Sequence, residues 1–154
     1  MDNQPYQSPN FQFLASIDPV LVELGARAER YALEDPNTSM IKVRQLGELL
    51  AQTIGAKFGV QRDARMDQRS LIDDLYRRQA LPAEIKDLFH EIRMQGNQAN
   101  HQMQGDQGKA ITLLRFVRKI SVWYFRTHHN DKVKFGPFSP PVATADTDAE
   151  SQED

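Results

Sequence analysis

From Phe11 to Trp123 the apolar positions of this chain recur at intervals of three and four, and no stretch of useful length alternates at two, so the pattern predicts helices throughout. Asp18 and Pro19 supply an N-cap and a first-turn proline, and Leu21, Leu24, Ala28 and Tyr31 carry an apolar stripe down to about Leu33. Glu34 to Asn37 then reads as a turn. A second helix is expected from Thr38 or Ser39 through Ile41, Val43, Leu46, Leu49, Leu50, Ile54 and Phe58, fraying at Gly55 and Gly59. Beyond the polar run 61–68, a short helix over about 69–79 places Leu71, Ile72, Leu75 and Tyr76 on one side. Leu81 and Pro82 restart the chain as a fourth helix with Ile85, Leu88, Phe89 and Ile92 facing the core. A loop containing Gly105 and Gly108 precedes a fifth, roughly 107–128, bearing Ile111, Leu114, Phe116, Val117, Ile120, Trp123 and Tyr124. The fold class is all-α: a single helical bundle of about five helices over 10–130, followed by a Pro-rich, acidic linker or disordered tail over 131–154.

The polar positions of the fourth helix are as informative as its apolar ones. Arg93, Asn97 and His101 stand four residues apart and share one face, beginning next to the buried stripe. Gly96 within that helix costs roughly 1 kcal/mol relative to alanine and asks for a reason. Two readings fit. The stripe is either a polar site built from Arg, Asn and His, or a structural hydrogen-bond network in which Gly96 lets another helix approach closely; the second is the commoner use of such groups in a bundle. Arg44 and Glu48, at i and i+4 in the apolar second helix, read as a half-buried pair belonging to the same network. In the first reading His101 would be an acid or base and Arg93 a phosphate clamp, the minimum for metal-free RNA cleavage.

Other polar groups carry less. His128 and His129 close the last helix, where cations suit the helix dipole better than they suggest a metal, and His90 falls at the edge of the core stripe. Trp123, Tyr124 and Phe125 read as core and domain-edge packing rather than a base-stacking platform. Arg62, Arg65, Arg69, Arg77 and Arg78 read first as a solvated face and second as a non-specific DNA contact.

Composition narrows the classes. With 154 residues the chain is sized for one domain, and its 40% hydrophobic and 26% charged residues are ordinary for a globular protein. No apolar run approaches the ~20 residues of a membrane helix. The first ten residues hold no basic and apolar leader, and there is no cysteine, so neither a disulfide framework nor a cysteine-based metal site is expected and a cytoplasmic location is. The net charge of −2 conceals an asymmetry: Asp146, Asp148, Glu150, Glu153 and Asp154 all lie in the last twelve residues, leaving 16 acidic against 19 basic residues, or +3, over 1–142. No Gly-rich phosphate loop, His-Glu-x-x-His pair or Gly-x-Ser-x-Gly elbow occurs, so a self-contained ATP motor and a metal nuclease centre are not visible in these residues, and no metal site is expected.

Several motifs in order resemble one known family: Asn10-Phe11-x-Phe13-Leu14; Ala28-Glu29 with Asp35-Pro36-Asn37-Thr38; Ile41-Lys42-x-Arg44 with Gly47-Glu48; Phe89-His90-x-Ile92-Arg93 with Gly96-Asn97-Gln98-Ala99-x-His101; and Val122-Trp123-Tyr124-x-Arg126. Over about 10–128 the chain resembles the N-terminal helical domain of the restriction subunit R of type I restriction–modification enzymes, a domain that looks related to the HEPN superfamily of small helical bundles. That resemblance implies a parent with a nuclease domain and an ATP-driven DNA translocase downstream. ATP and Mg would be needed only there, with no cofactor in this chain. It also implies methyltransferase and specificity subunits as partners, with DNA reached through the complex. Many HEPN proteins are ribonucleases with an Arg-x(4–6)-His motif, often as homodimers, and the carry-over falls on Asn97 and His101. The residue before Asn97, commonly arginine in active members, is here Gly96, and Arg93 stands seven residues clear of His101. A non-catalytic interaction domain of a restriction endonuclease subunit is therefore expected, with a free-standing, metal-independent ribonuclease using Arg93, Asn97 and His101, as a homodimer, as the alternative.

Overall fold

Four aspartates set the helix starts. The carboxylates of Asp18, Asp35, Asp67 and Asp106 accept hydrogen bonds from the backbone N–H of Val20, Thr38, Ser70 and Lys109 at 3.0, 3.2, 2.8 and 2.7 Å, satisfying donors that the first turn leaves without partners. These bonds hold the Asp35 and Asp67 carboxyls below the usual carboxylate range, the Thr38 side chain contributing most at Asp35 and the Ser70 backbone at Asp67. The computed structural model of the chain describes residues 7–60, 66–102 and 106–142, with 100–102 as backbone only. Its helices are α1 (Pro19–Glu34), α2 (Pro36–Lys57), α3 (Gln68–Arg77), α4 (Ala83–Gln102) and α5 (Gln107–His128), preceded by a 3₁₀ turn, Gln12–Ser16. Among the described residues there is no strand, and no helix is long and apolar enough to cross a membrane.

The bundle agrees with the expected all-α class and differs at its joints. The turn expected over 34–37 shrinks to one residue: Asp35 closes α1 by donating its N–H to Tyr31 O at 2.7 Å and opens α2 with its side chain. Pro36 begins the helix rather than breaking it, because a proline at the first helical position loses no intrahelical bond. Gly108 likewise lies in the first turn of α5, not in the loop before it. At the other end of α2, Gly55 is buried inside the helix, and the chain reverses at Gly59, whose φ of +73° favours glycine. That reversal leaves Phe58, expected at the end of the core stripe, 41% exposed.

Helix α2 is central and touches α1, α3, α4 and α5. Its Met40, Val43, Leu46, Leu50 and Ile54 meet Leu71, Ile72 and Leu75 of α3, Ile85, Phe89 and Ile92 of α4, and Leu114, Val117 and Ile120 of α5 in one buried cluster. Phe11 closes the α1 side, its ring lying where a Cβ on Gly25 would come within 2.5 Å.

Part of the stretch that composition assigns to a tail is docked on the bundle. Phe135 packs edge-on against Phe13 and Phe125, with ring centroids 4.6 and 5.9 Å apart, and Phe138 lies against the core. Asn10, almost fully buried, fixes the register: its Nδ2 donates to Ser139 O and to Glu29 Oε2 at 2.9 Å each, while Ser139 N donates to Asn10 Oδ1 at 2.8 Å. Residues 143–154, with the five acidic groups, lie outside the described residues.

Candidate functional site

Helices α2 and α4 cross with a glycine on each. A Cβ on Gly96 would lie 2.6 Å from Arg44 Cβ, and one on Gly47 would lie 3.2 Å from Ile92 Cγ2, so the backbones approach more closely than larger residues would allow. The Arg44 stem fills this contact. Its Nη1 donates to Glu48 Oε2 at 2.6 Å, with the two side chains 21% and 25% exposed, and its Nε is buried without a hydrogen-bond partner among the described residues. Arg93, half-buried, turns the other way and donates from Nε to His90 Nδ1 at 3.4 Å. His90 Nε2 lies 3.0 Å from Asp73 Oδ1 on α3. With Nδ1 accepting, the ring proton sits on Nε2 and is donated to Asp73.

The five sequence-selected residues thus fall into separate contacts. Arg44 and Glu48 pair within α2 against Gly96; Arg93 joins His90 and Asp73; Asn97 is exposed on α4; His101 contributes backbone to α4, and its side chain lies outside the described residues. Arg93, the phosphate clamp of the ribonuclease alternative, donates from Nε to His90 and makes no hydrogen bond with Asn97, so the described side chains do not favour that alternative. No group of three or more His, Asp or Glu among the described residues is placed to hold a metal ion. In the basic run, Arg77 and Arg78 both pair with Asp74 at 3.1 Å, Arg69 is exposed, and Arg62 and Arg65 lie outside the described residues.

A face that sequence reasoning passed over is the outer side of α5. Arg115, Arg118, Lys119, Val122 and Arg126 recur at helical spacing and, with the start of α4 and Phe138, line a groove of 510 Å³. The Arg115 guanidinium lies 4.6 Å over the Phe138 ring, and that of Arg126 lies 5.1 Å over Phe135 while its Nε donates to Val133 O at 3.3 Å. Arg118 Nε donates to Asn10 O at 3.3 Å. Glu84, which forms an ion pair with Lys119, is the carboxylate among the lining residues. Burial, and secondarily the positive charge of Arg126, disfavour the charged form of Arg118.

Trp123 is shared with a second groove, of 720 Å³, where Phe58, Tyr76, Leu81 and His128 stand beside the polar Arg77, Gln79 and Thr127. Phe58 and Tyr76 are each 41% exposed. His128 stands among Phe58, Trp123 and Tyr124, with ring centroids 6.1, 5.9 and 5.1 Å away, and its Nε2 is buried without a partner among the described residues. Burial first, then the charges of Lys57 and His129, hold its pKa below the usual histidine value. The aromatic cluster expected as packing therefore divides: Tyr124 is fully buried, whereas Trp123 forms the wall between two grooves. The signal for the basic groove was present as cations at 115, 118, 119 and 126, but it lay beside the apolar stripe rather than on it.

No family model matches the chain, and no solved structure matches it. Over 117 residues it is 32% identical to the type I restriction enzyme EcoKI endonuclease subunit of Escherichia coli strain K12, an alignment that takes in 76% of this chain and 10% of the relative. The chain thus spans about a tenth of that relative's length. This five-helix bundle is a domain related to part of a type I restriction endonuclease subunit.

Proposed function

We propose that the bundle is a non-catalytic docking domain, HEPN-like in its helical build, that holds a type I restriction endonuclease subunit against the methyltransferase and specificity subunits of its complex. The observation that carries this reading is the aromatic-lined groove at the end of the bundle, where Phe58 and Tyr76 are each 41% exposed beside Trp123. Exposed aromatic side chains around a concavity, with arginines such as Arg77 and Arg126 nearby, are the composition that protein interfaces over-use and that supplies their energetic hot spots. The α2–α4 crossing supports it from the other side, since Arg44 is spent on helix packing and Glu48, and Arg93 on His90. The kinship with a tenth of an endonuclease subunit supplies the class of partner.

The test is reconstitution from pure components. The 154-residue chain is mixed with the methyltransferase–specificity complex of the same host and followed by sedimentation. The wild-type chain is expected to co-sediment, and a Phe58→Asp, Tyr76→Asp variant with an unchanged melting temperature should bind at least ~30-fold more weakly, as loss of a hot spot of about 2 kcal/mol requires. A wild-type chain that sediments alone at tens of micromolar removes the docking reading.

A further inference from the structure

We propose that the basic groove on α5 binds single-stranded nucleic acid, with backbone phosphates on Arg115, Arg118, Lys119 and Arg126 and a base against Trp123. This goes beyond the docking reading, which concerns the opposite side of Trp123, and it stands on different residues.

Charge defines the occupant first. Four cations and one carboxylate line the groove, and that carboxylate, Glu84, is already engaged by Lys119. Arg118 and Arg126 lie close enough for the charge of one to disfavour that of the other, a cost that an anion between them would relieve. Residues 77 and 78, by contrast, share Asp74 and leave little field for a ligand.

Geometry then selects among anions. From Arg115 to Arg126 the helix advances about 16 Å, which makes a row of cations rather than a cradle for one phosphate. The guanidinium groups of Arg115 and Arg126 lie over the Phe138 and Phe135 rings, at 4.6 and 5.1 Å from the centroids, which localises the two charges along the groove while terminal N–H groups remain for phosphate oxygens. The row runs along a concave groove with Trp123 in its wall, the combination of electrostatic track and stacking face by which single strands are held. A duplex is instead read by elements that project into its own grooves, and this face offers a recess rather than a projection. An acidic polypeptide would satisfy the charge but would leave the aromatic wall without a matching face.

Trp123 is the chain's one tryptophan and lines both grooves, so its fluorescence reports binding at either, and charge reversals on α5 assign the signal to the basic one. The full chain is titrated with short oligo-dT, with a duplex of equal length and with a poly-glutamate peptide. Oligo-dT is expected to quench Trp123, with an affinity falling roughly 50-fold between about 50 and 200 mM salt, the slope that about four single-strand phosphate contacts give. Arg115→Glu with Arg126→Glu should weaken binding at least tenfold at unchanged melting temperature, and Arg69→Glu on α3 should leave it unaltered. If the double reversal melts early, Arg115→Ala, at an exposed position, carries the same comparison. Absence of quenching at low salt, binding that survives the reversals, or preference for the duplex or the acidic peptide would each overturn the proposal.

Discussion

The α2–α4 crossing and the outer face of α5 begin from the same ingredients, an apolar helical stripe flanked by charged residues, and end in opposite states. At the crossing two glycines draw the backbones together, and the charged side chains are consumed: Arg44 lies along Gly96 and pairs with Glu48, while Arg93 is held by His90. On α5, among the described residues, the charged side is flanked by the start of α4, whose Glu84 pairs with Lys119, and by an extended segment whose Phe135 and Phe138 carry the arginines on their rings. A polar stripe beside a helical glycine is thus a packing device, because the missing side chain admits a neighbour that uses up the polar groups. A cationic stripe beside half-buried aromatics is a surface, because the groove sets one carboxylate, Glu84 on Lys119, against four cations.

The largest effect that would break this contrast is at Gly96. Substitution by leucine sets a Cβ against Arg44 Cβ, an atom fixed to the α2 backbone, and should destabilise the fold by about 3 kcal/mol in urea or thermal melts. Alanine is the sharper variant, since it improves helix propensity by roughly 1 kcal/mol and should still be destabilising at this contact. A Gly96→Ala chain as stable as wild type would show that the helices do not need to touch there. Next in size is Glu48→Ala, which strands a guanidinium whose Nε is already buried without a partner. With both side chains still partly in solvent, the expected loss is about 1 to 2 kcal/mol, well below that for a fully buried pair. A melting curve that overlays wild type would place Arg44 and Glu48 among ordinary surface pairs.

These residues also mark how far the sequence alone could be read. The bounds of α5 were legible because Asp106 caps it and the apolar stripe runs unbroken to its end. The start of α2 was placed two or three residues late because Pro36 suggests a break when read alone and a first turn when Asp35 caps it. Spacing selected Arg44, Glu48 and Arg93, and helix propensity marked Gly96 as a place for close approach, but a pattern within one helix cannot say which helix crosses it, and so Arg44 was not identified as the residue at Gly96. The α5 groove was harder still. It exists only because Phe138 returns to the bundle, and that return hangs on the Asn10–Ser139 pair, which spans 129 positions. No local pattern encodes a contact of that range.

The smallest predicted effect is one of pH, and it sharpens the contrast at the far end of α5. His128 is crowded by three aromatic rings, and its folded pKa lies below that of the unfolded chain, chiefly through burial. As pH falls through about 6.5 the unfolded chain therefore takes up the proton first. The stability contributed by neutral His128 is complete above that value and is lost as pH drops toward the folded pKa. His128→Phe keeps a ring among Phe58, Trp123 and Tyr124 and removes the titration, so its melting temperature should fall less steeply from pH 8 to pH 5.5 than that of wild type. His129, whose pKa is also lowered by burial and by Lys57, should retain part of the slope. Equal slopes in the two proteins would mean that water reaches the His128 ring freely. The groove beside His128 would then be open to water at the helix end, and the aromatic face on which the docking reading depends would have to be sought elsewhere on the bundle.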